Sequence, residues 1–260
     1  MILELKNITL RFTGGKDSFK ILDGLNLSVQ TGKITALIGG NGSGKTTLFN
    51  IISGFQKDFS GDVMLNGENI KKHTPDRIAR KGVGRLFQGK PLIQDLTLLE
   101  NMLLASDDSS GETPFSYLFR KKKIDQKEKE KEKQAIEVLS QLFGENNKYI
   151  GMLSYKGSEF SYGEQRLISL ARLFMGNYSL LLLDEPTAGV NPLYIDTIRA
   201  IIMQIVADGK TTVLLIEHNM SFVNGIADHC AYIDDGKIEC EGLAKFVLNN
   251  QEVRNSYLGL

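Results

Sequence analysis

Tryptophan is absent, and cysteine, histidine and proline are scarce, at two, three and five in 260 residues. Cys230 and Cys240 show no metal-type spacing, and His73, His218 and His229 are scattered, so a structural zinc site is not expected. So few thiols fit a reducing compartment. No apolar run approaches the roughly 18 residues that cross a bilayer, so any membrane role needs another chain. The opening MILELKNITLRF alternates like a strand and lacks the apolar centre of a signal peptide. Neither sign of charge is in excess: 31 Lys and Arg face 31 Asp and Glu, which excludes a strong field toward nucleic acid or anionic lipid. Hydrophobic residues at 42% and charged residues at 24% are an ordinary globular balance. The length suits one large α/β domain, or a core with a smaller subdomain, that folds without staples.

Glycine is plentiful, and it gathers where chemistry needs it. Gly39-Gly40-Asn41-Gly42-Ser43-Gly44-Lys45-Thr46-Thr47 follows the apolar run Ile34–Ile38 and precedes a helical pattern from Leu48 to Ser53. This is strand, glycine loop, helix, with the spacing G-x-x-x-x-G-K-[ST] of a phosphate-binding P-loop. Glycines let backbone N–H groups turn inward as an anion nest. The helix adds its unpaired N–H groups and positive dipole end. Lys45 would reach the β and γ phosphates of ATP, and the Thr46 hydroxyl would ligate Mg²⁺, a cation that prefers oxygen.

Residues 1–30 read as short alternating strands with a turn at Gly14–Ser18. A further strand over Gly61–Leu65 closes at Asn66-Gly67, a hairpin signal. Together they predict an antiparallel patch beside a nucleotide core. Pro75 opens a short helix that Gly82 ends, and Val83–Phe87 enters a strand with Gln88 just beyond it. Residues 91–143 look mainly helical, interrupted at Asp107–Gly111. In the run 120–134, lysine and glutamate alternate, which places like charges at i,i+4 and opposite charges at i,i+3. A solvated helix face is the expectation there, with contact between Arg120–Lys123 and lipid headgroups or a partner as the alternative. Ser161 with Glu164 forms a capping box that opens a helix through Phe174. Leu180–Leu183 reads as a buried parallel strand ending at Asp184-Glu185-Pro186. A helix is expected from Pro192 to Ala207, a second buried strand over Thr211–Ile216 ending at Glu217-His218, a hairpin at Asp234–Gly236, and a short helix over Leu243–Tyr257.

In an open α/β sheet, ligands bind outside the carboxyl ends of the strands. The P-loop, Asp184-Glu185 and His218 are therefore expected to face one site. Asp184 would hold Mg²⁺, Glu185 would polarise the attacking water as general base, and His218 would contact the γ-phosphate. Phe12 could stack on adenine or serve as a core aromatic. Ser161 and Gly163 at a helix N-terminus make a second anion-binding end, which predicts a head-to-tail dimer clamping each ATP between two chains.

The order of P-loop, Gln88, FSYGEQ (160–165), LLLLDEP (180–186) and His218 resembles the ATP-binding subunit of an ABC transporter. The resemblance implies a RecA-like P-loop NTPase core with an N-terminal antiparallel β subdomain, over 1–88 and 177–260, and an inserted α-helical subdomain over 89–176. IARKGVGRLFQ (78–88), LTLLENMLLA (96–105), DEPTAGVNP (184–192), IEHNMSFVNGIAD (216–228) and SYLG (256–259) are most similar to the branched-chain amino acid importer subgroup. The implied function is ATP hydrolysis that drives an importer, with transmembrane permease subunits, a second ATPase subunit and, indirectly, a solute-binding protein as partners. The implied location is the cytoplasmic face of the cell membrane. The resemblance makes Gln88 the sensor of γ-phosphate and Mg²⁺ beside the permease, gives Ser161 and Gly163 to the opposite subunit's ATP, and makes Phe12 the adenine-stacking aromatic. Gly40 replaces the family's usual proline, Phe160 its leucine and Tyr162 the first glycine of its LSGGQ signature. Asn191 stands where many relatives have aspartate. The alternatives are the ATPase of a lipopolysaccharide-type exporter and a soluble, non-transport ABC ATPase. A single cassette, zero net charge and no long heptads weigh against the latter.

Overall fold

Alternation in the first thirty residues becomes two long antiparallel strands, and the apolar runs further on become a parallel sheet. The computed structural model describes residues 1–14, 17–89, 91–105 and 121–258, without the side chains of 12–18, 121–128 and 256–258. In chain order the elements are β1 (Leu3–Gly14), β2 (Asp17–Val29), β3 (Ile34–Ile38), α1 (Lys45–Ile52), β4 (Ser60–Leu65), β5 (Glu68–Asn69), α2 (Pro75–Arg80) and β6 (Val83–Leu86). Then come α3 (Leu98–Leu103), α4 (Lys121–Phe143), α5 (Tyr162–Ala171), β7 (Leu180–Asp184), α6 (Ile195–Val206), β8 (Thr212–Ile216) and α7 (Met220–Ile226). The chain closes with β9 (His229–Asp234), β10 (Lys237–Leu243), α8 (Ala244–Val247) and α9 (Gln251–Leu258). It divides into two compact units, one of Met1–Gln88, Tyr178–Ala188 and Ile202–Leu260, the other of Gly89–Asn177 and Gly189–Ile201.

The first unit holds two sheets. One has the order β2-β1-β4-β5 and is antiparallel; Asn66 and Gly67 turn it at φ 48° and 79°, the left-handed pair that a two-residue hairpin requires. The other has the order β10-β9-β3-β8-β7-β6 and is parallel from β9 to β6. Its inner strands are apolar on both faces because both faces are covered. Leu180 to Leu183 are all essentially inaccessible, as are Val213 to Ile216. Leu3, Leu5 and Ile8 of β1, Phe49 and Ile52 of α1, and Leu182 and Leu214 of the parallel sheet share one apolar cluster. Each such side chain contributes about 1.5–3 kcal/mol relative to exposure. That burial fixes α1, and with it the loop that precedes α1.

The second unit has its own core of Leu98, Met102, Leu139, Tyr149, Phe160 and Ile168. Phe160, where the resemblance expects leucine, packs there with its ring 6.3 Å from that of Tyr149. The helix expected from residue 91 begins only at Leu98. Asn101, fully buried, donates from Nδ2 to the carbonyls of Ile93, Leu96 and Thr97 and accepts the Ile93 N–H, so the segment before α3 is satisfied without helical bonds. Thr97 and Glu100 then cap α3 reciprocally. The lysine/glutamate run lies in α4, where Lys133 pairs with Glu137. Gly15-Lys16, Asp107–Gly111 and Arg120, which carried expectations of a turn, a loop and a cationic end, lie outside the described residues.

Candidate active site

Parallel strands present their carboxyl ends at one edge of a sheet, and here four of them end in polar residues. β3 runs into Gly39–Thr47, β7 ends at Asp184-Glu185, β8 lies between them and ends at Glu217-His218, and β6 leads to Gln88. Ile21, Asn41, Gly42, Gly44, Lys45, Thr46, Thr47, Glu185 and His218 line a cavity of about 160 Å³. That is smaller than the roughly 300–1,000 Å³ of a pocket for a whole organic ligand, and it suits a phosphate tail.

The loop is built for an anion. Gly44 caps α1 at φ 102° with no side-chain hydrogen bond, and the first turn carries no acid, so the helix end keeps its N–H donors and its positive dipole. A Cβ on Gly39 would sit 2.2 Å from the Ile233 carbonyl oxygen, so only glycine fits there. Gly40, by contrast, has open space around it, and an added Cβ would meet nothing within 4 Å. Lys45 is 6% exposed. Its Nζ donates to the Gly39 carbonyl at 2.8 Å, the Gly40 carbonyl at 2.6 Å and Ser43 Oγ at 3.2 Å. Burial lowers its pKa, opposed by the charges of Glu185 and Asp184. The ammonium is thus a partly desolvated cation within reach of two carboxylates.

Glu185 is the centre of the opposite wall. Its backbone takes φ 48°, and its N–H donates to the Ile216 carbonyl at 2.9 Å, which ties it to β8. Oε2 accepts from Gln88 Nε2 at 2.6 Å, and Oε1 lies 3.0 Å from His218 Nε2. The carboxylate is therefore aimed by two side chains from two other strands. His218 is aimed in turn by its neighbour. Glu217 is 2% exposed and accepts from the N–H groups of His218 at 2.9 Å, Asn219 at 3.2 Å and Thr187 at 2.9 Å, and from Thr187 Oγ1 at 2.5 Å. A buried carboxylate so fully bonded is a brace that knits the loops after β7 and β8.

Asp184, 1% exposed, lies against Arg85, with Nη2 3.3 Å from Oδ2. Asp184, Thr46 and Gln88 offer carboxylate, hydroxyl and amide oxygens, a donor set suited to Mg²⁺. Magnesium keeps waters and takes phosphate oxygens, so one buried carboxylate suffices. No group of three His, Cys, Asp or Glu gathers among the described residues.

Ser161 and Gly163 belong to the second unit and are described within it. Ser161 caps α5, donating from Oγ to Glu164 Oε2 at 2.6 Å and accepting the Glu164 N–H at 3.4 Å. Burial raises the Glu164 pKa, but hydrogen bonds from Lys148 and Ser161 outweigh it and the net shift is downward. A Cβ on Gly163 would meet the Tyr194 ring at 2.7 Å, so the glycine also serves packing. Tyr162 is 41% exposed, and Asn191 accepts the Leu193 N–H at 3.0 Å to start the next turn. Phe12 lies in β1 opposite Phe19, and its side chain is outside the description. Sequence reasoning missed Ile21, which lines the cavity from β2, the brace at Glu217, and Arg85. The available signal for Arg85 was a charge inside the apolar strand Val83–Leu86.

A covered parallel sheet, a glycine loop opening into α1 and acids on the neighbouring strand ends together define a P-loop NTPase. The ABC transporter family profile matches residues 22–188. The high-affinity branched-chain amino acid transport ATP-binding protein BraF of Pseudomonas aeruginosa is 35% identical over 258 residues, covering 99% of this chain and 98% of that protein. LivG of Escherichia coli K12, described in the same words, is 32% identical over 261 residues, covering 99% of this chain and 98% of that protein. A crystal structure of the ADP conformation of an ATP-binding cassette of an ABC transporter superposes with TM-score 0.79 at 36% identity, covering 100% of this chain and 99% of that one. The chain belongs to the ABC transporter family. No helix among the described residues is long and apolar enough to cross a membrane.

Proposed function

We propose that this chain is the ATP-hydrolysing, energy-coupling subunit of a branched-chain amino acid importer. The observation that carries the proposal is the shared edge: Lys45, Glu185 and His218 line one cavity at the carboxyl ends of β3, β7 and β8. In this reading the loop N–H groups and Lys45 hold the β and γ phosphates of ATP. Glu185 orients a water and takes its proton as the water oxygen attacks the γ-phosphorus and the bond to ADP breaks. His218 and Gln88 hold Glu185 in place. Thr46, Asp184 and Gln88 would hold Mg²⁺, which supplies positive charge at the phosphate oxygens. Catalysis is then mostly positional and electrostatic.

In this reading 1–88 and 177–260 make up the RecA-like core with its β subdomain and 89–176 the helical subdomain, although Asn177 and Gly189–Ile201 cluster with the second compact unit. Phe12 stacks on the adenine. A cavity that suits only a phosphate tail leaves the rest of the nucleotide to be covered from outside. A second ATPase subunit supplies that cover and closes its Ser161 and Gly163 over the γ-phosphate, and closure of the pair drives permease subunits that meet the region of Gln88 at the cytoplasmic face of the membrane.

The test is reconstitution with branched-chain amino acid permease subunits. Proteoliposomes carrying all subunits and a solute-binding protein should take up leucine, isoleucine or valine only with ATP inside. ATP hydrolysis by the isolated chain with no detergent-stable permease complex and no uptake would overturn the transport reading.

A further inference from the structure

Arg85 is a cation buried in the middle of β6. Its side chain is 6% exposed and that of its partner Asp184 1%. Burial lowers its pKa, the Asp184 charge opposes that, and arginine stays protonated in any case. The guanidinium is held through both terminal nitrogens, while the buried Nε has no hydrogen-bond partner. Nη2 reaches Asp184 Oδ2 at 3.3 Å, and Nη1 donates to Asn50 Oδ1 and to Ser53 Oγ, both at 2.8 Å. Asn50 lies in the last turn of α1 and Ser53 caps its C-terminal end, where the helix dipole favours a cation. The rings of Phe49 and Phe87 lie 5.6 Å and 4.6 Å from the guanidinium carbon. Phe87 is half exposed, stands edge-on to Phe55 at 5.7 Å, and directly precedes Gln88. One planar group thus joins the P-loop helix, the Asp184 carboxylate and the Phe87–Gln88 segment.

We propose that Arg85 is a positioning residue that fixes the Asp184 carboxylate toward the nucleotide's divalent cation and ties that orientation to the Phe87–Gln88 segment. A lysine cannot replace it: a point charge has no fork to hold Asn50, Ser53 and Asp184 together and no plane to lie against Phe87. The inference rests on the reading of Asp184 as a Mg²⁺ ligand.

The test is binding of a fluorescent ATP analogue to the full chain, in EDTA and across a Mg²⁺ titration, with melting temperature measured alongside. Arg85→Lys and Arg85→Met should bind the analogue in EDTA within about twofold of wild type. They should need about tenfold or more Mg²⁺ for the half-maximal Mg²⁺-dependent change, as outer-sphere partners of metal ligands typically do. Asn50→Ala, which loosens the fork and keeps the charge, should shift the Mg²⁺ midpoint the same way by less. Folded Arg85→Lys and Asn50→Ala proteins with the wild-type midpoint would overturn the proposal, even if Arg85→Met does not fold. An unchanged midpoint in Asp184→Asn would instead overturn the assignment of Asp184.

Discussion

Replacing Glu185 with glutamine exchanges one carboxylate oxygen for an NH₂ group of the same shape. The existing geometry accepts it. The amide oxygen can still take the Gln88 hydrogen bond that Oε2 accepts at 2.6 Å, and the amide nitrogen can meet His218 Nε2, now 3.0 Å from Oε1. The side chain is 19% exposed, so the change in stability should stay within about 1 kcal/mol. Phosphate binding by Lys45 and the α1 N–H groups is untouched, so ATP affinity should persist. The proton acceptor is lost. Removing a general base slows a reaction by about 10²–10⁴-fold, which corresponds to about 2.7–5.4 kcal/mol of barrier. Steady-state phosphate release gives the turnover, equilibrium dialysis the ATP affinity, and size-exclusion chromatography with ATP should show dimers accumulating. Turnover within about tenfold of wild type, with folding and binding intact, would refute the role of Glu185 as base.

Lys45→Ala should weaken ATP binding by about tenfold or more, because a desolvated cation at the loop floor disappears; native affinity by calorimetry would contradict this. Gly44→Ala should cost about 1–3 kcal/mol, since φ is 102° and the new Cβ would lie 2.7 Å from Leu22 Cδ2 and 3.0 Å from the Ile21 carbonyl. Thermal melting should show it, and an unchanged melting temperature would mean that the loop relaxes freely. Cys230 supplies a pH dependence. Burial, with a smaller contribution from Cys240, pushes its thiol up to about 12, above the roughly 8.5 of an unfolded thiol. The folded chain then holds a proton that the unfolded chain releases. This contribution is complete below pH ~8.5 and is lost as pH rises toward 12, by up to about 1.4 kcal/mol per pH unit. Urea titrations from pH 7 to 10 on wild type and Cys230→Ser should diverge in that sense, and parallel curves would rule it out.

Much of this was legible in the chain because local chemistry agreed with the global fold. Leu180–Leu183 reads as a covered strand from its unbroken apolar run, and the acids beyond it mark the sheet edge. Asn66-Gly67 names its own hairpin, and Ser161 with Glu164 names its own helix start. Elements that depend on distant partners were not legible. The backbone before α3 is held by Asn101, whose amide satisfies carbonyls that periodicity alone assigned to a helix. The C-terminal tail reads as one helix but splits at Leu248–Asn250, where the Asn250 side chain accepts the Glu252 N–H at 2.8 Å and restarts it. Ile21 reaches the cavity through the register of β2, and Arg85 is explained only once β6 lies beside β7. The strand ends were visible because runs of apolar residues stop there; their adjacency is set by a strand order that no local pattern encodes.

The most direct test is a crystal structure of the Glu185→Gln protein grown with ATP and Mg²⁺. The account predicts the triphosphate in the Gly39–Thr47 loop, with Lys45 on the β and γ phosphates, Thr46 and Asp184 facing the metal, and Ser161 of a second copy closing over the γ-phosphate. A nucleotide bound elsewhere, or phosphates in the loop with Asp184 and His218 turned away from them, would contradict it.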